Sequence, residues 1–126
     1  MEILGLGTDI VEIARIEKML AVHAGRFEER VCTFQELAIA GSKRGRTTFF
    51  AGRWAAKEAA AKALGCGIGK KCAFTDINIV NDASGKPEMF FTGAAAATAA
   101  ECGVKNIRVS ISHEASYAVA TVILCG

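Results

Sequence analysis

The sequence predicts a single α+β domain, residues 1–126, in which an antiparallel sheet packs against helices. Its length of 126 residues suits one domain. Hydrophobic residues make up 52% of the chain and proline occurs once, so a core is available and long disorder is not expected. The predicted elements follow the order strand, helices, hairpin, helix, hairpin. Because hairpins make antiparallel pairs, this order favours the α+β class over a doubly wound parallel sheet.

The N-terminal half predicts one strand followed by four helices. The apolar run 3–7 is typical of a buried strand that turns just before Asp9. From Ile10 onward, apolar residues recur every three or four positions, which is the helical spacing. Thr33 and Glu36 form a capping box that predicts the start of the third helix. The helices are expected at residues 10–23, 26–31, 34–40 and 47–64, with a basic flexible loop at 41–46.

The C-terminal half predicts two hairpins with one helix between them. Gly65 ends the alanine-rich fourth helix and opens a glycine-rich loop, residues 65–71. A turn cluster at 81–87 joins the strands of the first hairpin. The strand around Ile111 alternates apolar and polar residues, which predicts one polar face. The strands are expected at 74–80, 88–92, 107–111 and 117–124, and the helix at 94–102.

Composition excludes several classes of protein. The 15 basic and 13 acidic side chains leave a net charge of +2, which is too small to indicate a nucleic-acid binder by itself. The five cysteines are odd in number and form no C-x-x-C pair, so free thiols in a reducing cytosol are expected rather than a zinc ribbon or a redox motif. The N-terminus does not resemble a signal peptide, and no apolar stretch is long enough to span a bilayer. We therefore expect a cytoplasmic protein.

Three common catalytic motifs are missing from the sequence. The chain has no G-x-x-x-x-G-K-[ST] phosphate loop and no G-x-S-x-G nucleophile elbow. Gly5 and Gly7 lack a third glycine in register, so a dinucleotide fingerprint is unsupported. Ser112 and His113 are neighbours on a predicted strand, and their side chains should point to opposite faces. That arrangement makes them a poor pair of nucleophile and base.

Asp9 is the first candidate functional residue. It lies where the first strand is expected to turn into a helix, a position at which aspartate commonly caps the helix N-terminus. A carboxylate there also suits Mg²⁺, which takes one or two protein carboxylates and fills its shell with water and phosphate oxygens. The position of Asp9 in the sequence, taken alone, favours the role of helix cap over that of metal ligand.

Glu58 and Lys62 are the next candidates, because residues four apart share one face of a helix. Two interpretations fit them equally. They form a surface ion pair, or they handle a metal and a phosphate together, with Arg53 and Lys57 adding positive charge on the same helix. His113 is either structural or orients a nucleophile or a phosphate, since imidazole exchanges protons near neutral pH.

Ordered motifs along nearly the whole chain match one family. They are Gly5-Leu6-Gly7-Thr8-Asp9-Ile10 with Arg15-Ile16, Phe50-Ala51-Gly52-Arg53-Trp54-Ala55-Ala56-Lys57-Glu58-Ala59 with Lys62-Ala63-Leu64-Gly65, Asp76-Ile77-x-Ile79, Gly85-Lys86-Pro87, and Val109-Ser110-Ile111-Ser112-His113. Each motif alone is weak, but the ordered set is highly specific. In these motifs the chain resembles the short bacterial 4′-phosphopantetheinyl transferases, the holo-[acyl-carrier-protein] synthase family. The resemblance implies the α+β fold of that family.

The resemblance implies transfer of 4′-phosphopantetheine from coenzyme A to a serine of apo acyl carrier protein, with release of adenosine 3′,5′-bisphosphate, in support of fatty acid biosynthesis. It implies Mg²⁺ held by Asp9 and Glu58, and catalytic roles for Glu58, Lys62 and His113. It also implies a homotrimer with active sites between subunits. The base that takes the serine proton stays open among Glu58, a metal-bound water and Glu114. The residues implied to bind coenzyme A are Lys43, Arg44, Arg46, Arg53, Lys62, Gly65, Gly67, Ile68, Pro87, Ser112 and His113.

The resemblance further implies an acidic protein partner. A basic surface with apolar centres, on and after the first helix, would dock the carrier protein, and the alternative is an ordinary amphipathic surface. The residues of this surface are Arg15, Met19, Arg26, Phe27 and Arg30. Two other functions remain as alternatives: a trimeric module that binds coenzyme A or a nucleotide without transfer, and a chaperone of the carrier protein.

Overall fold

The computed structural model describes residues 1–41 and 44–126, which form an α+β structure as predicted. The strands are β1 (Ile3–Glu12), β2 (Ile77–Asn81), β3 (Pro87–Phe91), β4 (Asn106–His113) and β5 (Tyr117–Cys125). The helices are α1 (Ile13–Val22), α2 (Arg26–Val31), α3 (Phe34–Ala40), α4 (Arg46–Leu64) and α5 (Gly93–Glu101), and a 3₁₀ turn spans Phe74–Asp76.

Two antiparallel sheets organise the chain. The larger has the strand order β1-β5-β4, and the smaller is the hairpin β2-β3. The central strand β5 pairs with both β1 and β4. Because β1 is the first strand and β5 the last, their pairing places the two ends of the chain side by side. The long helix α4 packs against the three-stranded sheet and supplies much of the buried core. Within the described part of the chain, no helix is both long and apolar enough to cross a membrane.

The first strand is longer than predicted, and the first helix is shorter. β1 stays paired with β5 as far as Glu12, so α1 begins at Ile13 rather than at Ile10. Ile10 matches the helical spacing of Ile13 and Ile16 only by coincidence, because Ile10 is 65% exposed on the outer face of the sheet whereas the other two lie in α1. Asp9 lies inside the strand, opposite Ala120. The interpretation of Asp9 as a helix cap is therefore wrong.

The first hairpin begins later than predicted. Phe74–Asp76 forms a 3₁₀ turn, and the strand starts only at Ile77. The carboxylate of Asp76 holds the turn in place, because its Oδ2 accepts hydrogen bonds from the N–H of Ala73 at 3.1 Å and of Ala95 at 3.2 Å. One side chain thus ties the turn to the first residues of α5.

Helix α4 approaches β1 closely because both contact surfaces consist of small residues. A Cβ atom added at Gly7 would lie 1.9 Å from the carbonyl oxygen of Ala59, and one at Gly5 would lie 2.2 Å from that of Ala63. Both alanines are buried. The glycines therefore permit close approach of helix and strand, and the alanines of α4 serve packing as well as helix propensity.

A buried ion pair, which the sequence did not predict, joins α3 to α4. The capping box is confirmed, since the side chains of Thr33 and Glu36 bond reciprocally to each other's N–H groups. Glu36 also accepts a hydrogen bond from Nζ of Lys57 at 2.6 Å, and both side chains are fully buried. Lys57 therefore adds no charge to the surface of α4, and its interpretation as part of a phosphate-binding face is wrong.

Candidate active site

Two carboxylates that are distant in sequence meet where β1 packs against α4. Asp9 on β1 and Glu58 on α4 are both half-buried. Burial raises the pKa of Glu58, and the negative charge of Asp9 raises it further, while Lys62 and Arg15 lower it. The two carboxylates are thus close enough to repel each other, and a cation between them would relieve that repulsion.

Lys62 completes this group, which we call the carboxylate site (Asp9, Glu58 and Lys62). The Nζ atom of Lys62 lies 2.9 Å from Oδ1 of Asp9 and donates to the carbonyl oxygen of Thr8 at 3.0 Å. The ion pair therefore joins α4 to β1 instead of running along the helix to Glu58. Since an ammonium group has three donors and the side chain is 53% exposed, one N–H remains open to a ligand.

The donors of the carboxylate site fit a hard divalent cation. Lys62 occupies Oδ1 of Asp9, which leaves Oδ2, and Glu58 offers a second carboxylate. Mg²⁺ typically takes one or two carboxylates and completes its shell with water and phosphate oxygens. Among the described residues, no three or more His, Cys, Asp and Glu side chains cluster in a way that could hold a metal. The site therefore suits a cation that shares its shell with a substrate.

A second group of candidate residues lines an open pocket on another side of α4, which we call the basic pocket. Its lining includes Arg44, Phe49, Gly52, Arg53, Ile111 and His113. Arg53 is only 6% exposed, and its guanidinium carbon lies 4.4 Å from the centroid of the Phe49 ring. Its Nη2 donates to the carbonyl oxygen of Ile79 at 3.3 Å, whereas its buried Nε has no hydrogen-bond partner among the described residues. A buried cation with an unpartnered N–H, at the wall of a pocket, fits an anionic ligand.

Strand β4 places Ser112 and His113 on opposite faces, as predicted. His113 lines the basic pocket. Ser112 lies opposite Val119 on the exposed face of the sheet. Of these two residues implied to bind coenzyme A, only His113 shares a pocket with Arg53 in one copy of the chain.

The basic residues at and just before the start of α4 have different surroundings. Arg44 lines the basic pocket. Arg46 is engaged elsewhere, because its Nη2 lies 3.2 Å from Oε2 of Glu28 and its Nε donates to the carbonyl oxygen of Gly41 at 3.2 Å. The structure thus gives Arg46 a structural role. Lys43 lies outside the described residues.

The glycine-rich loop and the first hairpin adjoin the two sites. Gly65 and Gly67, with φ of 80° and 67°, follow the end of α4, and Gly65 lies three residues after Lys62. Ile68 packs against the core. Pro87 pairs with Asn81, whose Oδ1 lies 3.5 Å from Nη2 of Arg53. The loop therefore extends from the carboxylate site. The hairpin reaches the basic pocket only through the contact of Asn81 with Arg53, because Pro87 itself lines a different cavity, together with Lys86 and Arg108.

Arg15, a residue of the predicted partner surface, lies near enough to the carboxylate site for its charge to act on Glu58. Its guanidinium carbon lies 5.9 Å from the centroid of the Trp54 ring, and its positive charge lowers the pKa of Glu58. Met19, one turn further along α1, is half-buried. Sequence spacing gave no sign of the contact between Arg15 and Glu58, because it depends on how α1 packs against α4.

Phe27 is not a surface anchor, and its prediction as a partner-binding residue is wrong. It is 4% exposed, and its ring centroid lies 6.1 Å from that of Phe50 and 5.9 Å from that of Trp54. The short helix α2 turns Phe27 into the core, because an aromatic side chain gains more from burial than its charged neighbours do. Arg26 and Arg30 of the same helix remain exposed.

The paired carboxylates beside a lysine and the basic pocket are the groups of a protein that handles phosphate-containing ligands. The match to a known family is direct. The chain belongs to the 4′-phosphopantetheinyl transferase superfamily, whose family model matches residues 5–122. The resemblance seen in the motifs is thereby confirmed.

Relatives and solved structures agree with this assignment. A holo-[acyl-carrier-protein] synthase of Vibrio vulnificus (strain YJ016) is 49% identical over 123 residues, which cover 98% of each chain. The crystal structure of the synthase from Neisseria meningitidis matches with a TM-score of 0.93 at 36% identity, over 99% of this chain and 100% of that one. The synthase from Helicobacter pylori in complex with coenzyme A matches with a TM-score of 0.85 at 34% identity, over 95% and 99%.

Proposed function

We propose that this protein is a Mg²⁺-dependent holo-[acyl-carrier-protein] synthase. It transfers 4′-phosphopantetheine from coenzyme A to a serine of apo acyl carrier protein, in the cytoplasm, for fatty acid biosynthesis. The observation that carries the proposal is the convergence of Asp9, Glu58 and Lys62, from two separate elements, into one site with metal-binding and phosphate-binding groups. The names of the relatives and the coenzyme A in the Helicobacter pylori structure support the choice of substrates.

The carboxylate site has the groups that this reaction needs. The serine Oγ attacks the phosphorus atom that carries pantetheine, and the bond from that phosphorus to the bridging oxygen breaks. Adenosine 3′,5′-bisphosphate leaves with the electron pair. Asp9 and Glu58 would hold Mg²⁺, which supplies positive charge to the pyrophosphate oxygens when bound. Lys62 directs its remaining N–H toward the same oxygens, and such positioned charge does most of the work in phosphoryl transfer.

We assign the serine proton to Glu58 rather than to Glu114. Oε1 of Glu114 accepts a hydrogen bond from the N–H of Ser116 at 2.8 Å, which holds it in the turn between β4 and β5. The carboxylate of Glu58 makes no hydrogen bond to another described residue. Glu58 also lies at the carboxylate site, where the serine hydroxyl would arrive, and this position favours its carboxylate as the proton acceptor.

The positions of the two sites on α4 support an active site shared between subunits. Arg53 and Lys62 are nine residues apart, which at about 100° per residue places them on opposite sides of the helix. No short path on one copy therefore leads a ligand from Arg53 to Lys62, whereas the basic pocket of a neighbouring copy is not bound by this geometry. We infer that the carboxylate site of one subunit and the basic pocket of the next, with its Arg44 and His113, bind the same coenzyme A.

The outer face of the three-stranded sheet supports assembly of copies. Leu6 and Ile10 on β1 are each 65% exposed, and Val119 of β5, opposite Ile10, is 37% exposed. Contiguous exposed apolar side chains mark interaction surfaces. A homotrimer would bury this face and would bring Ser112, which lies on it, toward the interface.

The exposed basic residues at the N-terminal helices support docking of the acidic carrier protein. Arg26 and Arg30 are exposed on α2, and the charge of Arg15 on α1 acts on Glu58. With Met19, they form a surface that leads to the carboxylate site. A negatively charged partner would be attracted to this surface, and its serine would arrive beside the metal ligands.

The transfer itself is tested by mass spectrometry of the carrier protein. Incubation with coenzyme A, Mg²⁺ and apo carrier protein is expected to add the mass of one phosphopantetheine group to the carrier. Asp9→Asn and Glu58→Gln should each lose most of this transfer, while Glu17→Gln, at an exposed position of α1, should keep it. Binding of coenzyme A without any mass gain in the carrier would favour a binding module, and turnover retained by either site variant would remove that residue from the site.

The oligomeric state is tested with a pair of variants matched in exposure. Ile10 and Val22 are both 65% exposed, but Ile10 lies on the outer face of the sheet and Val22 ends α1. Ile10→Lys is expected to shift a trimer toward monomer in light scattering and to reduce transfer, because it separates the two halves of the site. Val22→Lys should remain trimeric. A wild-type protein that is monomeric and active would overturn the shared site.

A further inference from the structure

The core between α3, α4 and β2 holds one carboxylate and two cations. Glu36 and Lys57 are 0% exposed, and Arg53 is 6% exposed. Burial of charge is costly unless each charge is paired, so the partners of each group decide where the surplus positive charge lies.

The ammonium group of Lys57 donates all of its hydrogen bonds to groups inside the core. Its Nζ lies 2.6 Å from Oε1 of Glu36, 2.6 Å from the carbonyl oxygen of Val31 and 3.1 Å from that of Phe74. These three acceptors account for the three donors of the ammonium group. Lys57 therefore neutralises Glu36 and offers nothing to a ligand.

Glu36 connects this pair to the basic pocket through one residue of β2, Ile79. Its Oε2 accepts a hydrogen bond from the N–H of Ile79 at 2.8 Å. The carbonyl oxygen of the same Ile79 accepts from Nη2 of Arg53 at 3.3 Å. The negative charge of Glu36 also raises the pKa of Arg53 against the lowering caused by burial, so the two charges interact. Arg53 lines the pocket, and its buried Nε has no partner in the part of the chain that the structure describes.

We propose that Lys57 is a positioning residue for the basic pocket. By neutralising Glu36, it leaves the positive charge of Arg53 to an anion in the pocket, while Glu36 fixes the guanidinium through Ile79. Without Lys57, Glu36 would have Arg53 as its nearest remaining counter-charge, and the pocket would lose most of its attraction for phosphate. The inference rests on the proposed function in one respect, which is that the basic pocket receives the 3′-phosphate of coenzyme A.

The experiment compares the binding of coenzyme A and of 3′-dephospho-coenzyme A to the intact protein by calorimetry, at a temperature where each variant is folded. The ratio of the two Kd values reports the 3′-phosphate alone, because a general distortion of the site changes both. Lys57→Met is expected to reduce the preference of the wild type for coenzyme A by about tenfold, the effect of losing one hydrogen bond to a charged group. Lys105→Met, at an exposed position before β4, should keep the wild-type ratio.

The double variant Lys57→Met/Glu36→Gln separates charge balance from simple structural damage. It removes both charges of the pair, so Arg53 is again without a competing carboxylate, and the preference for coenzyme A should recover to within about threefold of the wild type. A merely structural role predicts no recovery of this ratio, and that result would overturn the proposal. Equal affinity of the wild type for the two ligands would overturn it as well. Both outcomes are independent of whether the carrier protein gains mass, which tests the proposed function by itself.

Discussion

Replacement of Gly7 by alanine tests whether the close contact between β1 and α4 builds the carboxylate site. The added Cβ would lie 1.9 Å from the carbonyl oxygen of Ala59 and 2.7 Å from the backbone nitrogen of Ala63, where ordinary contacts begin at 3.4 Å. Strand and helix must therefore separate by roughly 1.5 Å, and such overpacking typically costs about 1–3 kcal/mol. At about 4 °C per kcal/mol for a domain of this size, Tm should fall by roughly 4–12 °C.

The same displacement should damage the site, because Asp9 lies two residues beyond Gly7. Lys62 and Asp9 are 2.9 Å apart, and a shift of this size would break their hydrogen bond. We expect the Gly7→Ala variant to lose most of its transfer activity and to be stabilised less by Mg²⁺ than the wild type.

The measurement is a pair of thermal and urea unfolding curves, with and without Mg²⁺. Gly69→Ala is the matched control for stability, since no atom lies within 4 Å of its added Cβ and its φ is not in the left-handed region. A Gly7→Ala protein with the Tm of the Gly69→Ala variant and an unchanged response to Mg²⁺ would refute this account of the contact.

Three further predictions concern charge and thiol chemistry. The pKa of Glu58 is higher in the folded than in the unfolded chain, so ionisation with rising pH destabilises the folded state. Metal-free Glu58→Gln should therefore melt above the wild type at about pH 7, with a difference that shrinks toward about pH 4; a constant difference would contradict the shift. Arg26→Glu should slow association with apo carrier protein several-fold at low salt and less at high salt, whereas equal rates for Arg26→Glu and Lys105→Glu in stopped-flow measurements would place docking elsewhere. Burial raises the pKa of Cys72 to about 12, so iodoacetamide at about pH 8 should label the exposed Cys102 in the native protein and Cys72 only after unfolding, as read by mass spectrometry.

Local patterns in the sequence were sufficient for most elements of the fold. The capping box of Thr33 and Glu36 is present as predicted, because it depends on residues three apart. Helix α4 follows from its alanines and ends at Gly65, whose φ of 80° few other residues adopt easily. The opposite orientations of Ser112 and His113 follow from the two-residue period of a strand. In each case neighbours along the chain determine the outcome.

The tertiary structure decided what depends on residues far apart in sequence. Pairing with β5 extended β1 to Glu12 and made Asp9 a strand residue, although its local sequence equally suits a helix cap. Packing of α4 on β1 brought Lys62 to Asp9 rather than leaving it paired with Glu58. Burial sent Phe27 into the core, since the spacing of a short helix does not reveal which face meets the rest of the chain.

The motifs in the sequence predict Asp9, Glu58 and Lys62 as site residues, because carboxylates suit magnesium and a lysine suits phosphate. The sequence alone therefore supplied the candidate groups for the proposed reaction. It did not determine the roles of Lys57 and Arg53, which look alike as cations four residues apart on one helix. Only the fold distinguishes them. The ammonium group of Lys57 is bonded to two backbone carbonyls and to the carboxylate of Glu36. The Nε of Arg53, in contrast, has no hydrogen-bond partner among the residues that the structure describes.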